Sequence, residues 1–138
     1  MTDKNQLIVR LVTPDRILVD QTADSVEVPS RSGYFEVLYG HAPLLAELAP
    51  GEVRLYAGVR HESQRFSVAR GFVEVLPERV TILAESAMKP EEIDAAAARK
   101  ELDHGQKLWS EAGDNAEKYL LANEIIREAE SRLDSTKG

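Results

Sequence analysis

The three histidines, His41, His61 and His104, are the side chains of this sequence best suited to moving a proton near neutral pH or to ligating a metal. None has the company that either task requires. No HxH or HExxH spacing occurs, and there is no cysteine to complete a mixed ligand set. His41 stands between Gly40 and Pro43, where a lone histidine either bonds a backbone carbonyl or meets a partner. His61 and His104 sit among charges and are expected to face solvent. Nucleophilic and phosphoryl chemistry are equally short of parts. There is no GxSxG elbow for a reactive serine and no GK[ST] to close a phosphate loop. Glu27 and Glu74 alternate with valines, which predicts water-facing strand positions. Glu36 is a solitary carboxylate, and a hydrolase built on it and His41 would need a second acid or nucleophile about 3 Å from the ring. The residues therefore predict no catalytic group, no metal site and no cofactor.

Contact with another protein is the remaining possibility, and one segment invites it. "GYFEVLYGHAPLLAELAPG" (33–51) combines three glycines and two prolines with Phe35, Val37, Leu38, Tyr39, Leu44, Leu45 and Leu48. Turn-rich backbone normally lies in water and carries polar side chains. So many apolar ones mean either a buried corner of a β-domain or a surface for a partner.

The elements around this corner change character near residue 88. Before it, "QLIVRLVT", "RILVDQ", "DSVEVPS", "YFEVLY", "EVRLYAG", "QRFSVA", "GFVEVL" and "RVTILAE" are short, rich in Val, Ile, Leu and aromatics, and separated by Pro and Gly. That texture predicts an antiparallel sandwich or barrel. After it, Lys89-Pro90-Glu91-Glu92 suits the opening of a helix, Gly113 its close, and Asp114 or Asn115 the cap of a second. Ala98, Leu102, Gly105, Trp109 and Ala112 form one stripe at steps of four and three; Tyr119, Ala122, Ile126, Ala129 and Leu133 form another. The short connection predicts an antiparallel hairpin. Because alanine and glycine supply much of the first stripe, the pair buries little and is expected to be mobile; a static hairpin docked on the sandwich is the alternative.

Composition narrows the function further. The chain has 138 residues, 43% apolar and 30% charged, the profile of a globular protein. Its net charge of −7 gives no basic face for nucleic acid or for anionic lipid. No window approaches the roughly 18 to 20 apolar residues that span a bilayer. The opening "MTDKNQLIVRLV" lacks the order of a secretion signal, and the absence of cysteine suits a reducing compartment.

With these residues laid out, the sequence resembles the epsilon subunit of bacterial F-type ATP synthases over nearly its whole length. The likeness rests on "LVTPDRILVD" (11–20), "DSVEVPSRSGYFEVLYGHAPLLAELAPGEVRL" (24–55), "GFVEVLPERVTILAESA" (71–87) and "EEIDAAAARKEL" (91–102). What the resemblance implies is an α+β chain. A ten-stranded antiparallel β-sandwich at residues 1–88 would bind the rotor, and a C-terminal antiparallel two-helix hairpin at 89–138 would regulate. Such a subunit sits in the central stalk on the gamma subunit and the c-ring, peripheral to the cytoplasmic face of the bacterial plasma membrane. It couples ion translocation to ATP synthesis without catalysing anything. Its helices can extend between alpha and beta subunits and inhibit ATP hydrolysis. Ser32, Gly33 and Tyr34 fall where the family meets the c-ring; His41 falls where it meets gamma, with Ala42 and Pro43 in the same partner interface. Lys118, Arg127 and Arg132 are positioned either for acidic surface on beta or for ordinary helical pairs such as Glu128 with Arg132.

Departures from the family pattern carry their own expectations. Glu36 and Arg70 stand where the family favours glycine, Tyr39 where it favours proline, and Tyr34 where an acid is common. Glu36 implies that the local backbone does not need φ > 0, and Tyr34 implies different chemistry at the c-ring. Some members bind regulatory ATP through Ile/Leu-Asp-x-x-Arg-Ala. Ile93, Asp94 and Ala98 match that remnant, but Ala97 replaces the arginine, and Arg99 lies about 140° around the helix from Asp94. Regulatory ATP is therefore not expected. The rival to this reading is a free-standing β-sandwich adaptor with a dimerising hairpin, which would not bind a gamma subunit.

Overall fold

The computed structural model describes residues 6–57 and 62–137. In β1 (Leu7–Val12), Leu7, Val9 and Leu11 are fully buried while Ile8 turns outward, the alternation of a strand with one face on a core. A turn in which the Thr13 N–H donates to the Arg16 carbonyl, 2.9 Å away, leads into β2 (Ile17–Ala23), antiparallel to β1. β3 (Ser25–Ser30) and β4 (Gly33–Leu38) form a hairpin. β5 (Leu44–Leu48), β6 (Gly51–Tyr56), β7 (Glu62–Leu76) and β8 (Arg79–Met88) follow. The pairing order is β2-β1-β8-β7-β5-β3-β4, with β6 joining β3 to β7.

The long strand β7 turns this sheet over on itself. Its first half pairs with β6, from Arg65 opposite Arg54 to Val68 opposite Gly51. Its second half pairs with β5, from Gly71 opposite Leu48 to Val75 opposite Leu44. β8 follows it through the change of partner. At that point Arg70 has φ 39° and Gly71 φ 148°. A Cβ on Gly71 would lie 2.0 Å from the Leu83 carbonyl oxygen, so only glycine allows the two strands to stay paired through the bend. The folded-over sheet encloses one core, in which Val9, Leu11, Val26, Val28, Val37, Leu55, Phe66, Val73 and Ile82 are essentially inaccessible.

Two expectations are corrected here. The described residues hold eight strands, not the ten that the resemblance implies. Among the eight segments of the sequence pattern, "QRFSVA" and "GFVEVL" merge because Gly71 bends β7 without interrupting it, and Leu44–Leu48 adds a strand. Nor is the sheet wholly antiparallel: β1 runs parallel to β8, from Ile8 opposite Arg79 to Val12 opposite Leu83. A parallel pair needs a long crossover, and here the rest of the sandwich supplies it. The strand at Leu44–Leu48 lies inside the turn-rich segment and carries no β-branched residue.

The chain divides into two compact units, residues 1–89 and 90–138. In the second, Pro90–Glu92 form a single 3-10 turn, and the first full helix starts later than the Lys89-Pro90 signal suggests. Asp94 takes the cap, its Oδ1 accepting the Ala97 N–H at 3.1 Å, and α1 runs Ala95–Glu111. Ala112 closes it and Gly113 follows at φ 56°, the left-handed exit. Asn115 Oδ1 accepts the Lys118 N–H at 3.2 Å, capping α2 (Ala116–Lys137). Ala98, Gly105, Ala112, Ala122, Ala129 and Leu133 are buried. Trp109, expected on the packed stripe, is instead 49% exposed. A Cβ on Gly105 would stand 2.8 Å from Ile126 Cγ1, so the helices lie close together there, and the indole sits beyond that contact, at the end of α1 beside Tyr119. No helix among the described residues is long and apolar enough to cross a membrane.

Candidate functional site

The tip of the β3–β4 hairpin is a turn of Ser30, Arg31, Ser32 and Gly33 at the edge of the sheet. Ser30 Oγ donates to the Gly33 carbonyl at 2.6 Å and accepts the Ser32 N–H at 3.1 Å. The Arg31 N–H donates to the Glu47 carbonyl at 3.0 Å. Arg31, Ser32 and Gly33 are exposed. Tyr34 is 50% exposed, yet its hydroxyl is engaged: it accepts the Glu52 N–H at 2.9 Å. The slot that admits it exists because residue 51 has no side chain, for a Cβ there would sit 2.5 Å from the hydroxyl and 2.7 Å from Pro29 Cβ.

A charged array lies beside the slot. Arg54 stands with its guanidinium carbon 5.7 Å from the centre of the Tyr34 ring. It donates to Glu52 Oε1 at 3.0 Å and to Glu27 Oε1 at 3.1 Å. Tyr56 donates to the same Glu27 oxygen at 3.2 Å, and Arg65 donates to Glu52 Oε2 at 2.9 Å. Burial works against the Arg54 charge, but hydrogen bonding and attraction from Glu52 and Glu27 outweigh it and hold the group above its ordinary pKa. Glu27, expected in open water like Glu74, is half-buried in this array; Glu74 is exposed. Sequence alternation places Glu27, Glu52 and Arg54 on the outer face of the sheet but gives no sign that three strands bring them together.

The second half of the corner is apolar. His41 Nδ1 lies 2.7 Å from the Ala42 carbonyl, which fixes Nδ1 as the protonated donor, and its ring is tilted against Phe35 with centroids 6.5 Å apart. Val37 and Leu48 belong to the core, and Phe35 and Ala46 pack against it. Leu38, Tyr39, Leu44 and Leu45 remain exposed, Leu45 at 71%, with Ala42 and Pro43 exposed between them. The segment is thus partly core and partly surface. Glu36 does not take a positive φ, since Arg70 alone does so among the described non-glycine residues.

A second surface escaped the sequence reading. Phe72, Leu83, Val12 and Ile17 occupy one register row across β7, β8, β1 and β2. Phe72, Leu83 and Ile17 are each more than half exposed, at 55%, 55% and 54%. The outer face that carries this apolar row is otherwise polar: the next outward row on the same strands is Asp20, Arg10, Thr81 and Glu74, with Arg10 paired to Asp20 at 3.8 Å. Only the strand register reveals that Phe72, Leu83, Val12 and Ile17 are neighbours.

The remaining sequence candidates lie in the helical unit. Asp94 is the helix cap and Ala98 is buried, while Ile93 follows the 3-10 turn, its N–H donating to the Pro90 carbonyl at 3.2 Å. Arg99 lines a groove with Leu102, Glu130, Leu133, Asp134 and Lys137. Lys118 and Arg127 are exposed; Arg132 reaches Glu128 Oε1 at 3.8 Å, one turn away. His104 is exposed, and His61 lies outside the described residues. Among the described residues, no three His, Asp or Glu side chains are grouped to hold a metal ion.

The architecture is that of a β-sandwich domain followed by a helical pair. The family model for the ATP synthase delta/epsilon chain β-sandwich domain matches residues 6–90, and the chain belongs to the ATP synthase epsilon chain family. It is 42% identical over 103 residues to the epsilon chain of Koribacter versatilis, covering 75% of this chain and 71% of that one. With the epsilon chain of Magnetococcus marinus it shares 33% over 130 residues, 94% of this chain and 93% of the relative, helices included. A chain in the OSCP/F1/c-ring structure of Euglena gracilis mitochondrial ATP synthase superimposes with a TM-score of 0.80 at 23% identity, covering all of this chain and 87% of that one.

Proposed function

We infer that the chain occupies the central stalk of an F-type ATP synthase, binding the gamma subunit and the c-ring and helping to couple ion flow to ATP synthesis. The observation that carries this is the near full-length match to epsilon chains, which extends through the helical residues as well as the sandwich. The exposed corner of Leu38, Tyr39, Ala42, Pro43, Leu44 and Leu45 beside His41 supports a gamma contact, because an apolar patch of that kind is ordinarily covered in an assembly. The tip at Ser32 and Gly33 supports the c-ring contact. The chain supplies no catalytic group, and its place is peripheral, on the cytoplasmic face of the plasma membrane.

The helical unit acts as a brake on hydrolysis, extending between the alpha and beta subunits, where Lys118, Arg127 and Arg132 meet acidic surface. Small residues dominate its interface, so little apolar area opposes its rearrangement. Regulatory ATP has no role, since Asp94 is committed to capping and Ala97 offers no guanidinium. The test is ATP hydrolysis by the purified synthase with and without residues 89–138. Truncation should leave the sandwich bound and raise hydrolysis; an unchanged rate defeats the brake, and failure of the full chain to bind gamma defeats the stalk assignment.

A further inference from the structure

β4 is the last strand of its sheet, so the tip that precedes Tyr34 has no neighbour on one side. Hairpin ends in that position are ordinarily the least constrained part of a sheet. Here the Arg31 N–H bond to the Glu47 carbonyl holds one side of the tip, and one side chain ties it further inward. The Tyr34 hydroxyl reaches across Pro29 into the slot left by Gly51 and takes the Glu52 N–H at 2.9 Å. The Arg54 guanidinium stands against the ring and is itself fixed by Glu52 and Glu27, while Arg65 holds the other Glu52 oxygen. β4 is thus fastened to β6 past the intervening strand β3.

We propose that Tyr34 is a positioning residue: its hydroxyl latches the Arg31–Ser32–Gly33 tip onto β6, and the rotor is met by Arg31 and Ser32 rather than by Tyr34. This rests on the stalk assignment made above. The latch needs three residues in register, namely a glycine at 51, a hydrogen-bond acceptor on the Tyr34 ring, and an arginine at 54 held by acids on both sides. An exposed tyrosine in direct contact with a partner would need none of them. The tip that results presents one cation, Arg31, whose pairing with Glu47 is long at 3.9 Å and largely exposed, so a carboxylate or carbonyl on the partner can compete for it.

The test uses the full chain in three forms: wild type, Tyr34→Phe and Arg31→Ala. Amide exchange is followed in the isolated chain, and affinity is measured for the purified gamma subunit with c-ring. Loss of one hydrogen bond should speed exchange at Glu52 and Gly33 in Y34F by about three- to tenfold and weaken binding by a similar factor. R31A should weaken binding and leave both exchange rates unchanged. Placing 3-fluorotyrosine at position 34, which restores the hydroxyl, should return both readouts toward wild type. Unchanged exchange in Y34F overturns the latch. Weakened binding in Y34F without faster exchange makes Tyr34 a contact residue and overturns its positioning role, as does faster exchange with unchanged binding. If the wild-type chain binds no rotor component, the stalk assignment fails, and the exchange rates alone still decide whether the latch exists.

Discussion

Trp109 and Tyr119 meet edge to face across the turn of the helical pair, their ring centroids 5.5 Å apart and their planes at 74°. One ring comes from the end of α1 and the other from the start of α2, so the contact exists only while the hairpin is closed. Such pairs contribute roughly 0.5–1.5 kcal/mol beyond their buried area. Trp109 is also the sole tryptophan, which makes intrinsic fluorescence a probe of this unit alone. Tyr119→Ala should shift the emission toward that of free indole and lower the stability of the helical unit by about 1 kcal/mol. An emission spectrum identical to wild type would show that the rings do not pair in solution.

Gly105 sets how closely the two helices lie. Its absent Cβ would come within 2.8 Å of Ile126 and 3.0 Å of Ile125. Gly105→Val should force them apart and cost about 1–3 kcal/mol, more than an exposed helical glycine replacement could recover. Circular dichroism should then show an earlier loss of helix while the strand signal keeps its midpoint. Gly113, with nothing within 4 Å of its Cβ position, lacks this steric constraint, and the cost of Gly113→Ala should be limited to strain at φ 56°.

The bend in β7 rests on two adjacent residues with different tolerances. Gly71→Ala drives a methyl into the Leu83 carbonyl at 2.0 Å and should destabilise the sandwich by about 3 kcal/mol or more. Arg70→Gly removes the left-handed strain at φ 39° and the exposed pair with Glu85, terms of opposite sign that leave stability within about 1 kcal/mol of wild type. Urea midpoints of the two variants settle the contrast. Equal losses would mean that the bend does not depend on the missing side chain.

Arg54 is held above its ordinary pKa, so its contribution is complete at every pH below the unfolded guanidinium's value and fades only above it. Arg54→Ala should therefore cost about 1.5–3 kcal/mol, the range for hydrogen bonds to charged groups, and the same amount at pH 6 and pH 9. A cost that changes between those two values would show that another titrating group governs the array.

Much of the fold is legible along the chain because its signals are local. Val26 and Val28 around Glu27, and Val73 and Val75 around Glu74, alternate as half-buried strands must. Asn115 and Gly113 mark the helix junction by their own backbone chemistry. Asp94 was less visible, since Pro90 and two acids nearby make an equally good opening on paper. The strand at Leu44–Leu48 was hidden for a different reason: its residues have modest β-propensity, and pairing with Phe72–Val75 decides their conformation.

By itself the sequence determined the two kinds of texture, the change between them near residue 88, the glycine–proline corner and the family to which the chain belongs. Spacing and residue type over a few residues carry the first three, whereas the family rests on a resemblance that runs along nearly the whole chain. Tertiary structure alone decided that β7 continues through Gly71, that Trp109 is half-exposed against Tyr119 at the end of the helical pair, and that Glu27, Arg54, Glu52 and Arg65 converge in one array beside Tyr34. Each of these depends on strand register or interhelical distance. Those quantities join residues far apart in the chain, and no local pattern encodes them.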